Sequence, residues 1–266
     1  MLLASGSEVC QHDLTEQVLR GPFDLAFHAT TSRFVVRQRV LIACMPKSGS
    51  TFLSNAIGRL PGFRKTSLAT HYGRTEQDLD ASLALRKSRY NYVCQHHVRY
   101  NEKNRDVINR FSITPVVLVR DVHDCVISLR DHLRRESVDN SMVFANQDHL
   151  NLSDEELETF LVQMAIPWYI NFYVSWHECP NALWITYQEV TTDSKGVIKK
   201  ILRNLGRQDI GNDEIEAALE NRNPSADRMN VGRPRRGHML SEENKTLIRQ
   251  YRSAYPSIDF SRIGVD

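Results

Sequence analysis

The fold is decided by residues 40–58, which read VLIACMPKSGSTFLSNAIG. The first six residues are apolar, contain β-branched side chains and do not alternate with polar ones, a pattern typical of a buried parallel strand. A polar loop, residues 46–51, follows directly, and the apolar spacing after it is that of a helix that Pro61-Gly62 would end. The stretch therefore predicts a strand, a tight loop and a helix in immediate succession.

Similar patterns recur along the chain and predict a parallel sheet. Further strands are predicted at YNYVCQ 90–95, VVLV 116–119 and LWITY 183–187. Helices are predicted at 101–111, after Arg120 to about Arg135, at 153–178 with a break at Pro167, and at 195–205, 212–221 and 241–255. This alternation indicates the α/β class, with a central parallel sheet flanked by helices. We expect a single domain over residues 1–266, with a core of about 38–255 and a peripheral N-terminal stretch of ~30 residues.

The composition argues against several classes of protein. A net charge of +2 and a sequence pI near 8.3 give no broad basic face, so nucleic-acid binding is not expected. The N-terminus lacks the features of a signal peptide, and no apolar run reaches the ~18–20 residues needed to cross a bilayer. The five cysteines form no CxxC pair and no zinc-site spacing. We expect free thiols, no metal site and a cytoplasmic location.

The loop at residues 46–51 is a candidate anion-binding site. It would lie at the carboxyl end of its strand, where ligands bind in open α/β sheets. Gly49 lets the backbone approach an anion, Lys47 adds a mobile charge, and the N–H groups of the helix start add donors. Ser50 and Thr51 contribute hydroxyl groups. The simpler alternative is a polar turn with an ordinary N-cap; the chain has no GxxxxGK[ST] motif, so the loop is not a Walker A loop.

A second candidate anion site follows the strand at 116–119. Arg120 ends this strand and Ser128 stands eight residues further on. If a turn follows Arg120, both side chains can reach one phosphate, which a bidentate arginine binds well. The alternative is a strand-terminal arginine that pairs with Asp121 or Asp124. We expect residues 46–51, 95–99 and 120–128 to surround one crevice.

Together these motifs resemble those of the sulfotransferase family that uses 3′-phosphoadenosine-5′-phosphosulfate (PAPS). Residues 46–52, PKSGSTF, are similar to the family's 5′-phosphosulfate loop, usually PKSGTTW, and residues 120–128, RDVHDCVIS, are similar to its 3′-phosphate motif. The segment from LWITY onward resembles the part of the family that follows the second motif. The resemblance spans about residues 38–255 and implies a P-loop NTPase-like sulfotransferase fold.

The resemblance also implies which residues bind the donor. It assigns the 5′-phosphosulfate to Lys47, Ser48, Gly49, Ser50 and Thr51, the adenine to Phe52 and Tyr187, and the 3′-phosphate to Arg120, Ser128, Arg235, Arg236 and Gly237. Three of these depart from the family's pattern. Arg235-Arg236 stands where the family has Arg-Lys. Ser50 replaces a threonine and keeps the hydroxyl, and Phe52 replaces a tryptophan and would stack on adenine more weakly.

The family's general base is a histidine at a strand end, in a Lys-x-His-Leu-Pro context. The matching place here reads CQHHVR, residues 94–99. Matching His-Leu-Pro to His-Val-Arg favours His97, whereas counting back from Arg120 allows either His96 or His97. The family's lysine is missing, and Arg99 is the candidate to compensate. Histidine titrates near neutral pH and can accept the proton of the attacking group.

The implied reaction moves a sulfuryl group from PAPS to an acceptor hydroxyl or amine and leaves adenosine 3′,5′-bisphosphate (PAP). Lys47 and the loop N–H groups would stabilise the charge that develops on the donor. The acceptor, a small molecule, lipid or carbohydrate, is expected to contact residues 64–75, 130–150 and 167–176. The alternatives are an ATP-dependent small-molecule kinase of related fold and a non-catalytic protein that binds PAP. The sequence does not indicate an oligomeric state.

Two parts of the expected acceptor region have simpler interpretations. The aromatic residues of PWYINFYVSW, 167–176, have helical spacing and are more typical of a core. The basic run at Arg130, His132, Arg134 and Arg135 is more typical of a solvated helix face, although it would also suit an anionic or sugar-like acceptor.

Overall fold

A five-stranded parallel sheet lies at the centre of the computed structural model, which describes residues 37–70, 77–138, 142–221 and 236–266. The strand order is β2-β3-β1-β4-β5, and the four pairings are parallel. The strands are β1 (Arg39–Cys44), β2 (Phe63–Thr66), β3 (Asn91–His96), β4 (Thr114–Val119) and β5 (Leu183–Thr186). The predicted α/β class is confirmed, while the N-terminal ~30 residues predicted to be peripheral lie outside the described residues.

Helices connect the strands and cover both faces of the sheet. They are α1 (Ser50–Gly58), α2 (Ala81–Lys87), α3 (Glu102–Arg110), α4 (Val122–Arg135), α5 (Asp154–Met164), α6 (Ile166–His177), α7 (Tyr187–Thr192), α8 (Ser194–Asn204), α9 (Asn212–Glu220) and α10 (Glu242–Arg252). Short 3₁₀ helices occupy Gln147–Asn151, Gly237–Met239 and Ser261–Ile263.

Local sequence signals explain several helix ends. Ser153 caps α5 in a capping box, in which its Oγ accepts from the Glu156 N–H at 3.2 Å and the Glu156 carboxylate accepts from the Ser153 N–H at 2.7 Å. The predicted break near Pro167 separates α5 from α6, and this proline lies in the first turn of α6, where no backbone N–H is needed. Gly206 follows α8 with a φ of 69°, the left-handed conformation of a helix stop.

The sheet separates two hydrophobic clusters, and this separation locates the crevice. β1 is buried along its whole length and contributes alternate residues to the clusters, Leu41, Ala43 and Met45 to the first and Val40, Ile42 and Cys44 to the second. Helix α4 packs in the first cluster and α1 in the second. The chain therefore leaves the neighbouring strands β1 and β4 towards opposite faces, which opens a crevice between their carboxyl ends.

The structure corrects three details of the sequence-based prediction. Strand β2 was not predicted. Helix α1 ends at Gly58, before the Pro61-Gly62 stop. Tyr187 does not continue β5 but begins α7, because Thr186 caps that helix through its side chain and Glu189.

Candidate active site

The loop after β1 has a backbone conformation suited to an anion. Lys47 has a φ of 65° and Gly49 a φ of 79°, so both lie in the left-handed region. Ser48 is fully buried, and its Oγ donates to the Met45 carbonyl oxygen at 2.6 Å, which fixes the turn. Gly49 is the N-cap of α1 and has no side chain to cap it. The first N–H groups of the helix therefore lack an N-cap acceptor and could bind an anion.

Three strand ends meet at the ring of Tyr187. A Cβ atom on Gly49 would lie 3.3 Å from two ring carbons of Tyr187, so the bare glycine backbone allows close approach. The guanidinium carbon of Arg120 lies 4.2 Å from the ring centroid, in cation–π geometry. The predicted site residues from the ends of β1, β4 and β5 are thus neighbours.

Arg120 is buried and uses its two terminal nitrogens within the protein. Its side chain is only 6% exposed, Nη1 donates to the Lys47 carbonyl oxygen at 2.7 Å, and Nη2 lies 3.5 Å from Asp124 Oδ2. The buried Nε has no hydrogen-bond acceptor among the described residues. A buried N–H without a partner costs about 1–3 kcal/mol, so this atom is a marker for a missing acceptor.

Asp124 joins Arg120 to the segment at Arg236-Gly237. While its Oδ2 faces Arg120, its Oδ1 accepts from the Gly237 N–H at 2.7 Å. Gly237 packs so closely on α4 that a Cβ atom would lie 2.4 Å from His123 Cβ. Only glycine fits this contact. The Asp124 carboxylate links Arg120 and Gly237, two residues that are predicted to bind the 3′-phosphate.

Arg236 is held by a second carboxylate of α4. Its Nη2 donates to Asp131 Oδ2 at 2.7 Å, and Arg130 Nη2 lies 3.1 Å from Asp131 Oδ1. Burial alone would raise the pKa of Asp131, but the two arginines outweigh it and lower that pKa below its usual value. Arg235, predicted to bind the same phosphate, lies outside the described residues.

The remaining predicted donor contacts lie in the first turn of α1 and the second turn of α4. Ser50 is 4% exposed and Thr51 is half-buried. Ser128 is half-buried in α4. Phe52 is 1% exposed within the second hydrophobic cluster, so an adenine could stack on it only if the atoms that cover the ring moved. These assignments stay predictions.

His97 lies just beyond β3 with one ring nitrogen engaged. Its Nδ1 is 2.8 Å from the Cys44 carbonyl oxygen and 3.4 Å from the Cys44 thiol, and its backbone N–H donates to Gln77 Oε1 at 2.9 Å. A carbonyl oxygen only accepts, so Nδ1 carries the proton and Nε2 keeps its lone pair. Burial lowers the pKa of His97, but the Cys44 thiol and carbonyl outweigh this and raise it above the ordinary value.

His96, in contrast, has both ring nitrogens engaged. It is fully buried, its Nε2 accepts from the Leu68 N–H at 2.8 Å, and its Nδ1 lies 3.4 Å from Gln77 Oε1. Burial, with a smaller effect of neighbouring His97, lowers the pKa of His96 to about 3. The ring is therefore neutral near pH 7.

Lys47 faces a carboxylate at the C-terminal end of α4. Its Nζ lies 3.9 Å from Glu136 Oε1, and the other oxygen of Glu136 lies 3.0 Å from His132 Nδ1. Lys47, which is predicted to contact the 5′-phosphosulfate, thus lies close to the Glu136 carboxylate of the protein itself. A phosphate at the loop would compete with Glu136 for the lysine.

The basic run on α4 is not a uniformly solvated face, which corrects the simpler sequence-based interpretation. Arg130 is 9% exposed and pairs with buried Glu158 on α5. Arg134 donates to the carbonyl oxygens of Leu150 and Leu152. These contacts bind the 3₁₀ turn and α5 to α4, so both arginines already have partners within the protein.

The aromatic stretch at 167–176 belongs mainly to the core. Tyr169, Phe172, Tyr173 and Trp176 are buried in α6. The Tyr169 hydroxyl donates to the Pro46 carbonyl oxygen at 3.3 Å, and the Trp176 indole donates to the Val98 carbonyl oxygen at 2.9 Å. Helix α6 therefore supports the chain that follows β1 and β3. Half-buried Trp168 stacks on Phe172 at 5.3 Å between ring centroids.

Within the described ranges, the chain has buried thiols but neither a metal-binding cluster nor a membrane-spanning helix. No group of three or more His, Cys, Asp or Glu side chains there is arranged to hold a metal ion. None of the described helices is both long and apolar enough to cross a membrane. Cys44, Cys94, Cys125 and Cys179 are buried free thiols, as expected.

The sequence did not single out three residues that the geometry brings to the site. They are Cys44, Gln77 and Glu136, which are partners of predicted residues. The sequence suggested Asp124 as a partner of Arg120, but it did not predict the link from Asp124 to Gly237, 113 residues further along the chain. Gln77 and Glu136 stand in segments without a distinctive pattern.

Comparison with known families gives one match. A model of the sulfotransferase domain matches residues 37–231. No curated protein sequence matches the chain.

Comparison with solved structures finds similar folds. The mouse sulfotransferase SULT7A1, complexed with PAP, is 17% identical with a TM-score of 0.61, over 85% of this chain and 87% of that one. Retinol dehydratase, in complex with androsterone and the inactive cofactor PAP, is 13% identical with a TM-score of 0.52, over 87% of this chain and 84% of that one.

Proposed function

The chain belongs to the sulfotransferase family, and from this premise we propose that it transfers the sulfuryl group of PAPS to an acceptor hydroxyl or amine, leaving PAP. The observation that carries the proposal is the buried Arg120, whose Nε lacks a partner beside the glycine loop and Tyr187. A phosphate oxygen is the acceptor that suits a guanidinium best.

The residues present fit the two charged ends of the donor. Residues 46–51 are proposed to offer the N–H groups at the start of α1, which no N-cap side chain accepts, and the Lys47 ammonium to the 5′-phosphosulfate. Arg120, Ser128, Arg235, Arg236 and Gly237 are proposed to hold the 3′-phosphate, and Tyr187 and Phe52 to contact the adenine. When bound, PAPS supplies the activated sulfuryl group.

His97 is the proposed general base, and its hydrogen bonds support the choice over His96. With Nδ1–H directed at the Cys44 carbonyl oxygen, Nε2 is able to accept a proton. The Nε2 of His96 already accepts from Leu68, so His96 would have to break a buried hydrogen bond to act. We propose that His96 positions the strand end.

The transfer is an in-line displacement at sulfur. The acceptor oxygen or nitrogen forms a bond to sulfur, its proton passes to His97 Nε2, and the bond from sulfur to the bridging oxygen breaks. The negative charge that develops on the 5′-phosphate of PAP is stabilised by Lys47 and the N–H groups of the 46–51 loop. Lys47 must move from Glu136 to do this.

The acceptor is proposed to be a small molecule, a lipid or a carbohydrate. Solved relatives of this fold include retinol dehydratase with androsterone and with retinol, which supports a small-molecule acceptor. Because Arg130 and Arg134 are already paired, they give little support to an anionic acceptor. We also propose a cytoplasmic, single-domain enzyme.

Calorimetric titration tests the donor site and separates the alternatives. We expect PAP to bind at least ~10²-fold more tightly than ADP, which lacks the 3′-phosphate, a difference of about 2.7 kcal/mol. Equal binding of PAP and ADP would contradict the 3′-phosphate site, and tight binding of ATP with magnesium would favour the kinase. PAP binding with no turnover of PAPS over a panel of hydroxyl and amine acceptors would favour a non-catalytic protein.

A further inference from the structure

Arg120 contacts the backbone of the other phosphate loop. The hydrogen bond from its Nη1 to the Lys47 carbonyl oxygen is 2.7 Å long and crosses from the end of β4 to the loop after β1. The opposite side of the guanidinium faces Asp124, and the ring of Tyr187 covers it. Three groups of the protein therefore fix the side chain.

The backbone that Arg120 holds is in an unfavourable conformation. Lys47 has a Cβ atom, yet its φ is 65°, a region that residues other than glycine seldom adopt without a local partner. The Lys47 carbonyl belongs to the same peptide link that leads to Ser48 and the start of α1. A charged donor on this oxygen holds the turn that presents the N–H groups of α1.

The Arg120 guanidinium is also connected, through Asp124, to the segment at Arg236-Gly237. This carboxylate contacts Arg120 with one oxygen and the Gly237 N–H with the other, and it is only 3% exposed. The loop at 46–51 and the segment at Arg236-Gly237 are thus connected through one ion pair.

We propose that Arg120 is a positioning residue for the 46–51 loop in addition to its contact with the 3′-phosphate. This inference rests on the proposed function and deepens it, because one side chain then serves both ends of the donor. Nε–H faces the 3′-phosphate, while Nη1–H fixes the loop that receives the 5′ end. Affinity for a nucleotide without a 3′-phosphate therefore depends on Arg120.

The test measures ADP and PAP binding by the full chain, by the variants Arg120→Met and Arg120→Lys, and by one control variant. Arg120→Met removes the hydrogen bond to Lys47, and we expect the Kd for ADP to rise about tenfold, as for loss of a charge-assisted hydrogen bond. Ser128→Ala is the matched control. It removes a proposed 3′-phosphate contact without a contact to the loop, so the Kd for PAP should rise while that for ADP stays within about twofold.

A second variant and a ligand-free readout guard against misfolding. Arg120→Lys keeps the charge but lacks the fork that reaches Lys47 and Asp124 together. We expect faster amide hydrogen exchange over residues 47–51 in this variant than in the parent, at a temperature well below both melting transitions.

The outcomes distinguish the inference from the proposed function. Unchanged ADP affinity in both Arg120 variants, with weaker PAP binding, overturns the positioning role and leaves the 3′-phosphate contact intact. Unchanged hydrogen exchange in Arg120→Lys overturns it as well. If the parent protein binds neither nucleotide, the proposed function fails, and the positioning role fails with it.

Discussion

The ends of β3 and β4 differ in how they hold their functional side chains. At β4, Arg120 is fixed on two sides by Lys47 and Asp124. At β3, two adjacent histidines have opposite surroundings, because His96 uses both ring nitrogens inside the protein whereas His97 Nε2 has no partner among the described residues. A strand end brings a residue to the crevice, and its hydrogen-bond partners decide what it can do there.

The largest effect is expected from the removal of the proposed base. His97→Ala should lower turnover of PAPS by roughly 10²–10⁴-fold, the usual contribution of a general base. Because the ring does not belong to the proposed donor contacts, the Kd for PAP should stay within about twofold. Steady-state rates and calorimetry on the same preparation measure both quantities.

His177→Ala serves as the control for this variant. The His177 ring packs on Trp184 near the beginning of β5, an edge strand three places from β3 in the sheet. Its loss should leave turnover within a few-fold of the parent. Turnover at the parent's rate in His97→Ala would contradict the assignment of His97 as the general base. The proposed difference in role between His96 and His97 would then fail too.

An intermediate effect, on stability rather than on chemistry, is expected at His96. His96→Ala leaves the Leu68 N–H buried without an acceptor, so the free energy of unfolding should fall by about 1–3 kcal/mol, and by more if the cavity does not collapse. Urea denaturation measures this change. If His96→Ala instead abolished turnover at unchanged stability, the two histidines would have exchanged roles.

The smallest effect is a shift of the pH profile. A base acts when unprotonated, and the pKa of His97 is raised, so kcat/KM should increase with pH and level off only above about pH 6.5, the usual pKa of histidine. Cys44→Ala removes the thiol and leaves the carbonyl, so the acid limb should move to lower pH. An unchanged limb in Cys44→Ala would show that the thiol does not affect the base.

The sequence predicted the centre of the sheet better than its edge. β1 is a continuous apolar run because both of its faces are buried. β2 was missed because only Phe63 of its four residues is buried and Arg64 and Lys65 are exposed at the edge of the sheet. Such a short edge strand has no periodic pattern and forms by pairing with β3.

The prediction of the site has the same limit, because contacts between distant residues have no local sequence pattern. The positions of Gly49 and Arg120 after two strands predicted that they would lie at one crevice, and the family resemblance added Tyr187. The structure brings these three residues together. Spacing left open the choice between His96 and His97, since the groups that distinguish them, Leu68 for His96 and Cys44 for His97, lie 28 and 53 residues away in the chain. The pairing of Arg130 with Glu158 joins two helices and has no local signal.

The order of the strands has a consequence for how the chain acquires its structure. β1 lies between β3 and β4 and pairs Leu41 with Cys94 and with Pro115, so neither partner is present when β1 leaves the ribosome. Contacts between such distant segments slow folding, because the chain loses the entropy of large loops before pairing compensates. The most apolar strand therefore waits unpaired during synthesis, and a chaperone that shields it should increase the yield of native protein.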